Sequence, residues 1–274
     1  MKKIAVIGLG IIGGSISAAL TNAGYQVDGF DAKEATLEYA IRKGYIHARG
    51  KEISDYDVVF LALPPRATME YLSTASFKFG ALVSDICGVK LAMEQVVYAQ
   101  NRNYRYVGLH PMAGKETSGI ESASASLFKG ANLIITHSEY TQALDVAEIK
   151  EYVIAMGFGK IVECTAKEHD QKIALTSQLA HIVSNAYVKS PHVRDCDGFT
   201  GGSFQDMTRI AGVDEQMWTQ LYMANRTCLQ AELEGLIDNL AIYLKALKEG
   251  DEVALSHILK EGRLIRETIK RADD

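Results

Sequence analysis

A doubly wound parallel α/β sheet followed by an all-helical domain is the fold this sequence predicts. Short apolar runs alternate with helical patterns through the first half, the mark of parallel strands joined by crossover helices. Past about residue 166 the strand signal stops and only helical periodicity continues. A glycine-rich turn also sits between the first apolar run and the first helix. At 274 residues, two domains are expected, 1–165 and 166–274.

Residues 4–7, 26–30, 58–63, 82–85, 106–109, 133–136 and 160–164 read as strands, and 13–23, 33–43, 66–72 and 90–100 as helices. In the second half a helix is predicted over 167–189 and another from Ser203. A long helix follows over 215–247, with no Pro and the single Gly235, and a last one over 252–269. Gly250-Asp251 marks the turn between those two. Long apolar helices of this kind bury one face in a second subunit or in a monomeric bundle; a homodimer through the helical domain is expected.

Composition narrows the class. The chain is 47% hydrophobic and 23% charged, ordinary for a water-soluble protein, and its net charge of -5 argues against nucleic acid as a partner. Its four cysteines include no Cys-x-x-Cys pair, which fits reduced thiols in the cytoplasm. The N-terminal run Ile4-Ala5-Val6-Ile7 is too short for a signal peptide, and no stretch suits a membrane span.

Gly8-Leu9-Gly10-Ile11-Ile12-Gly13 follows a strand and opens a helix. The first glycine permits the tight turn, the second admits a pyrophosphate against the backbone, and the third allows close helix–strand packing. Asp31 closes the second strand at the spacing of a ribose-binding acid. Its carboxylate would accept from a ribose 2′-hydroxyl and repel a 2′-phosphate, which favours NAD over NADP despite the nearby Lys33. The N-terminal domain therefore reads as Rossmann-type. Leu63 and Pro64 end another strand on the expected ligand side, as cofactor packing or plain helix initiation. Gly88 offers a backbone N–H at a helix start to the nicotinamide end, while Cys87 beside it has no local base to make it a nucleophile.

The chemistry-bearing loop is Gly108-Leu109-His110-Pro111-Met112-Ala113-Gly114-Lys115-Glu116. His110 falls at the end of a strand, where the crevice should lie, and an imidazole suits removal of a hydroxyl proton as hydride leaves. Ser177 and His181 are four apart on one helix face, with Asn185 continuing a polar stripe that lines a cleft or forms a helix–helix seam. In Gly201-Gly202-Ser203-Phe204-Gln205-Asp206-Met207-Thr208-Arg209, Arg209 holds a carboxylate or pairs with Asp206. The remaining histidines, His169 among them, read as surface or packing residues. The segment His192–Asp195–Cys196–Asp197 matches no ligand spacing, so no metal is expected.

These elements, in this order, resemble the prephenate/arogenate dehydrogenase family of tyrosine biosynthesis. The resemblance covers nearly the whole chain and rests on 108–114 with Glu116, the Ser177 and His181 helix, and 201–209 followed by Ile210-Ala211 and Met217-Trp218. It implies NAD-dependent oxidation and decarboxylation of a cyclohexadienol, prephenate giving 4-hydroxyphenylpyruvate or arogenate giving tyrosine. By resemblance His110 is the base, Arg209 binds a substrate carboxylate, and His181 and Ser177 belong to the substrate pocket. Glu116 and Asp206 are acids near the arginine. Two positions depart from the family pattern. Gly88 stands where many relatives carry a serine that orients the histidine, so water, Cys87 or backbone has to substitute. Lys115 stands where relatives often carry Thr, and adds a cation at the site. The chain ends after the helical domain, so any tyrosine inhibition is expected at the active site.

Two rival readings remain. A hydroxy-acid dehydrogenase of similar architecture would use Lys172 or Lys189 as its acid–base group. A nucleotide-sensing regulatory protein would keep the fold without turnover.

Overall fold

The computed structural model describes residues 2–114 and 117–269. The chain forms two compact units, Met1–Arg226 and Thr227–Asp274.

The first unit is built on a six-stranded parallel sheet of order β3-β2-β1-β4-β5-β6. Its strands are β1 (Ile4–Ile7), β2 (Val27–Phe30), β3 (Ala48–Arg49), β4 (Val58–Leu61), β5 (Leu82–Asp85) and β6 (Arg105–Tyr106). Helices α1 (Ile11–Asn22), α2 (Glu34–Arg42), α3 (Pro65–Thr74) and α4 (Leu91–Tyr98) make the crossovers. Side chains alternate across the sheet with period two. Ile4, Val6, Phe60 and Leu82 fill one core, and Ala5, Ile7, Leu61 and Val83 fill the other. Burial on both faces is why these strands read as unbroken apolar runs. Pro65 opens α3 at the first helical position, where its missing N–H costs nothing.

The predicted strand at 106–109 is two strands in two sheets. After β6 the chain crosses at Val107, and β7 (Gly108–Met112) pairs antiparallel with β8 (Asn132–Thr136). β8 pairs parallel with β9 (Lys160–Cys164) through α5 (Ala143–Ala155), giving a separate three-stranded sheet. β7 is an edge of that sheet, which is where Pro111 is tolerated.

The expected helix over 167–189 forms in three parts, α6 (Ala166–Ile173), a π-helical stretch Ala174–Leu179, and α7 (Ala180–Tyr187). A capping box starts it: Thr165 Oγ1 accepts from the Glu168 N–H, and the Glu168 carboxylate accepts from the Thr165 N–H. α8 (Gly202–Thr208) and α9 (Glu215–Ala224) complete the unit.

The single long helix predicted over 215–247 is broken at Asn225. Its φ of -115° and ψ of 26° leave the helical region. Its buried side-chain amide donates instead to the Asp170 carbonyl and to Gln178 Oε1, both at 2.8 Å. No Pro or Gly marks the spot; a tertiary hydrogen bond makes the break.

The second unit is a helical hairpin, α10 (Arg226–Glu249) and α11 (Glu252–Thr268). Gly250 takes the left-handed φ of 66°, and the Asp251 carboxylate caps α11 by accepting from the Ala254 N–H at 2.9 Å. Ile237, Leu240, Leu244, Leu247, Leu259 and Ile265 are exposed on this hairpin. No helix among the described residues is long and apolar enough to cross a membrane.

Candidate active site

The loops after β1, β4 and β5 all open at the carboxyl edge of the parallel sheet, and those after β1 and β4 flank the point where strand order reverses. Ligands bind at this edge in open α/β sheets. The three fingerprint glycines are needed for different reasons. Gly8 has a φ of 85°, and a Cβ there would lie 2.4 Å from the Ala62 carbonyl oxygen. A Cβ on Gly13 would lie 1.9 Å from the Gly8 carbonyl oxygen, so only glycine lets α1 sit this close to the turn. A Cβ on Gly10 would meet no protein atom within 4 Å, and Gly10 caps α1, whose first N–H groups follow at Ile11 and Ile12. That cradle, open to an anion and closed only by an added Cβ, fits a pyrophosphate. Asp31 stands beside it, its carboxylate accepting from the Leu9 and Lys33 N–H groups at 2.9 Å each. Leu63 packs against Gly8, and Pro64 is exposed as the N-cap of α3.

On β7 the two neighbours of His110, Leu109 and Pro111, are buried, so strand alternation turns the imidazole to the opposite face. Its Nε2 and Cε1 face Gly88, 3.6 and 3.7 Å from where a Cβ there would be. That Cβ would also lie 3.5 Å from Leu221 of α9. Nδ1 of His110 lies 2.8 Å from Nε2 of His169 on α6, and Nδ1 of His169 lies 2.7 Å from Asp170 Oδ1. His169 is 1% exposed. It is therefore not the unpaired surface or packing histidine expected from the sequence, and it takes the place sought among water, Cys87 and backbone. Burial first, then the neighbouring His169 and the Lys90 charge, hold His110 well below its ordinary value of 6.5. Burial likewise lowers His169, against the opposing pull of Asp170.

Beneath the histidines lies a buried ion pair. Lys90 Nζ is 2.5 Å from Asp85 Oδ1, and both side chains are fully buried. The Tyr106 hydroxyl donates to Asp85 Oδ2 at 2.5 Å, and the Cys87 N–H to Oδ1 at 2.9 Å. Gly108 fits tightly here, because a Cβ there would lie 2.3 Å from Thr136 Oγ1 on β8 and 3.1 Å from the Lys90 stem. Cys87 is buried, and burial pushes its thiol up to about 12, which keeps it protonated and unreactive.

The helical wall comes from α7, α8 and α9. His181 stacks on Trp218 with ring centroids 3.9 Å apart, and its Nδ1–H donates to the Ser177 carbonyl at 2.9 Å. Trp218 lies one turn before Leu221 on α9, so α9 links His181 to the surroundings of Gly88. The polar stripe divides between its two readings. Ser184 Oγ donates to the Met207 carbonyl and Asn185 Nδ2 to the Ala211 carbonyl, a seam that fastens α8 and the loop after it to α7. Arg209 is exposed at the C-cap of α8, and Asp206 is exposed one turn earlier. Lys115 and Glu116 lie outside the described residues. Lys172 and Lys189, the groups a hydroxy-acid dehydrogenase would use, are both exposed.

The pyrophosphate cradle with its adjacent acid defines an NAD-dependent oxidoreductase built on a Rossmann-type sheet. Comparison with known proteins makes the assignment narrower. Residues 16–162 match the nucleotide-binding domain model of prephenate dehydrogenase, and residues 165–261 match its dimerization domain model. The chain belongs to the prephenate dehydrogenase family. It is 28% identical to the prephenate dehydrogenase of Lactococcus lactis, over 98% of this chain and 78% of that one. The crystal structure of prephenate dehydrogenase from A. aeolicus with hydroxyphenyl propionate and NAD+ superposes with a TM-score of 0.83 at 27% identity, covering 98% of this chain and 99% of that one. Synechocystis arogenate dehydrogenase superposes with a TM-score of 0.79 at 25% identity, covering 97% and 99%.

Proposed function

We propose that the chain catalyses the NAD-dependent oxidative decarboxylation of prephenate to 4-hydroxyphenylpyruvate, a step of tyrosine biosynthesis. The observation that carries this reading is a half-buried His110, held well below its ordinary value of 6.5, whose Nε2 faces Gly88 at the nucleotide edge of the sheet. The family relationship supports it. Bound NAD supplies the hydride acceptor, held by the backbone of 8–13, by Asp31, Leu63 and Pro64, and by the N–H of Gly88. His110 removes the ring hydroxyl proton at Nε2 as the carbon beneath that hydroxyl is oxidised. Departure of the ring carboxylate as carbon dioxide leaves an aromatic ring, so no metal is needed to hold a carbanion.

Arg209 binds a substrate carboxylate, with Asp206, Glu116 and Lys115 setting the charge around it. His181 donates its Nδ1–H to backbone, which leaves Nε2 as the nitrogen available to the substrate, and Ser177 supplies a neighbouring hydroxyl. The functional boundary falls at 165/166, between the cofactor half and the helical half. The exposed apolar hairpin and the dimerization domain match support a homodimer, checked by a light-scattering mass of twice 30.0 kDa. Four widely spread cysteines with no Cys-x-x-Cys pair support a cytoplasmic setting.

The test is NADH formation from NAD with prephenate and, in parallel, with arogenate. Prephenate should give the higher kcat/KM. Preference for arogenate would reassign the substrate, and no signal from either would overturn the reading. His110→Ala should lower kcat by about 10²–10⁴-fold while NAD affinity stays near wild type.

A further inference from the structure

We propose that Asp170 and His169 are positioning residues that fix the tautomer of His110, delivering its Nε2 unprotonated to the substrate. The inference rests on His110 being the proton acceptor and says what makes it one.

The direction of the chain follows from its far end. The Asp170 carboxylate is held at the start of α4, where Oδ1 accepts from the Lys90 N–H at 2.8 Å and Oδ2 from the Leu91 N–H at 3.0 Å. Its backbone carbonyl is held too, by the Asn225 amide at 2.8 Å. Both oxygens face N–H donors at a helix N-terminus, which stabilises the anion. An ionised carboxylate only accepts. His169 Nδ1, at 2.7 Å from Oδ1, must therefore carry a proton.

A neutral imidazole carries one N–H, so His169 Nε2 is bare and can only accept. His110 Nδ1, at 2.8 Å, must then be the donor. That leaves the Nε2 of a neutral His110 without a proton, and Nε2 is the nitrogen that faces Gly88. Running the chain the other way would require a protonated Asp170 giving its hydrogen to His169 Nδ1 while both its oxygens face the backbone N–H groups of Lys90 and Leu91, an arrangement that favours the carboxylate over the neutral acid.

Gly88 explains why this support has to come from the far side of the ring. It has no side chain to offer Nε2. An imidazole anchored from neither side would share its proton between both nitrogens and turn about χ2. Anchored through Nδ1, the ring is fixed in orientation and its reacting nitrogen stays clear. When His110 takes up the hydroxyl proton, the imidazolium keeps its bond to His169, and the Asp170 charge lies one residue behind. A carboxylate–histidine arrangement of this logic also sets the tautomer in serine proteases.

Long-range proton–nitrogen spectra of the full-length protein, labelled with ¹⁵N-histidine, test this directly. His110 and His169 are assigned by loss of their signals in His110→Asn and His169→Gln. Both should show the Nδ1–H, bare-Nε2 pattern. His169→Phe should release His110 to a mixture of tautomers and lower kcat by at least about 10²-fold. KM for prephenate and the dissociation constant for NAD should stay within about threefold. Gln accepts with its oxygen and donates with its amide, so His169→Gln should recover at least tenfold of the lost kcat.

A wild-type His110 in the Nε2–H form overturns the proposal, as does equal kcat in the Gln and Phe variants. If His169→Phe does not fold, the wild-type spectrum and the Gln variant decide. Wild-type protein with the expected tautomers but no turnover of either substrate would sink the assignment of His110 as base, not the hydrogen-bond chain. Normal turnover with an Nε2–H His110 would sink the chain alone.

Discussion

Substitution of two glycines in one turn should give opposite phenotypes. Gly13→Ala puts a methyl carbon 1.9 Å from the Gly8 carbonyl oxygen, where carbon and carbonyl oxygen ordinarily meet at about 3.3–3.6 Å. The obstacle is backbone, so α1 or the turn has to move. Overpacking of this kind costs roughly 3 kcal/mol, or about 6–12 °C in melting temperature for a chain this long. Gly10→Ala meets no protein atom within 4 Å, and its φ of -67° suits any residue. Alanine at an N-cap is roughly 0.5–1 kcal/mol worse than glycine, so the ligand-free melting temperature should move by only about 1–4 °C. The methyl group would instead stand where the pyrophosphate approaches the helix. Loss of one charge-assisted hydrogen bond there costs about 1.5–3 kcal/mol, a weakening of NAD binding by roughly 10- to 150-fold. Scanning calorimetry without ligand and isothermal titration with NAD separate the two effects. Wild-type NAD affinity in Gly10→Ala would refute the reasoning, as would a ligand-free destabilisation equal to that of Gly13→Ala.

Three further outcomes follow from the charges beneath the site. Asp85→Asn strands the Lys90 ammonium in the core and should cost roughly 3–5 kcal/mol in urea unfolding; a loss below about 1 kcal/mol would show that the pair is not electrostatically coupled. Glu94 is pushed up to about 7 by burial, so the folded state holds a proton that the unfolded state releases near 4.5, and stability falls as pH rises between those values. Glu94→Gln should therefore stabilise the protein by about 1 kcal/mol at pH 8, after discounting for partial exposure, with the gain shrinking as pH falls to 4.5. A gain that grew toward acid pH would reverse that sign. Because His110 is held well below 6.5, the acid limb of kcat/KM should fall below that value and leave the rate level between pH 6.5 and 7.5; a limb centred at or above 6.5 would contradict an uncharged resting base.

The parts legible in the sequence are those set by local pattern. The runs at Ile4–Ile7, Leu82–Asp85 and Lys160–Cys164 could be delimited to the residue, because apolar stretches bounded by turn residues encode strands without reference to the rest of the fold. The glycine turn was legible because its spacing is itself the steric requirement. What stayed hidden depends on contacts across the chain. His169 meets His110 over 59 residues of separation. One local signal was available: the capping box at Thr165 sets the phase of α6, and that phase places Ala166, His169, Asp170 and Ile173 on one face. Two apolar residues framing two ionisable ones on a buried face mark a polar pair that needs partners. Asn225 breaks its helix for the sake of Asp170 and Gln178, which no propensity shows. The split between β6 and β7 was hidden because Tyr106, Val107 and Leu109 are all apolar and equally suited to either sheet.

The π-helical stretch Ala174–Leu179 sets the angle between two walls of the pocket. A π turn holds one residue more than the α turn it replaces, so everything beyond it is rotated by about 100° relative to an unbroken helix. Before the stretch, the face of the helix carrying His169 meets β7; after it, the face carrying His181 meets Trp218. An insertion thus works as a phase shifter that lets a single helix address both. The constraint on these six residues is then their number more than their chemistry. Removing any one would restore regular winding and swing His181 off the indole while leaving His169 where it is.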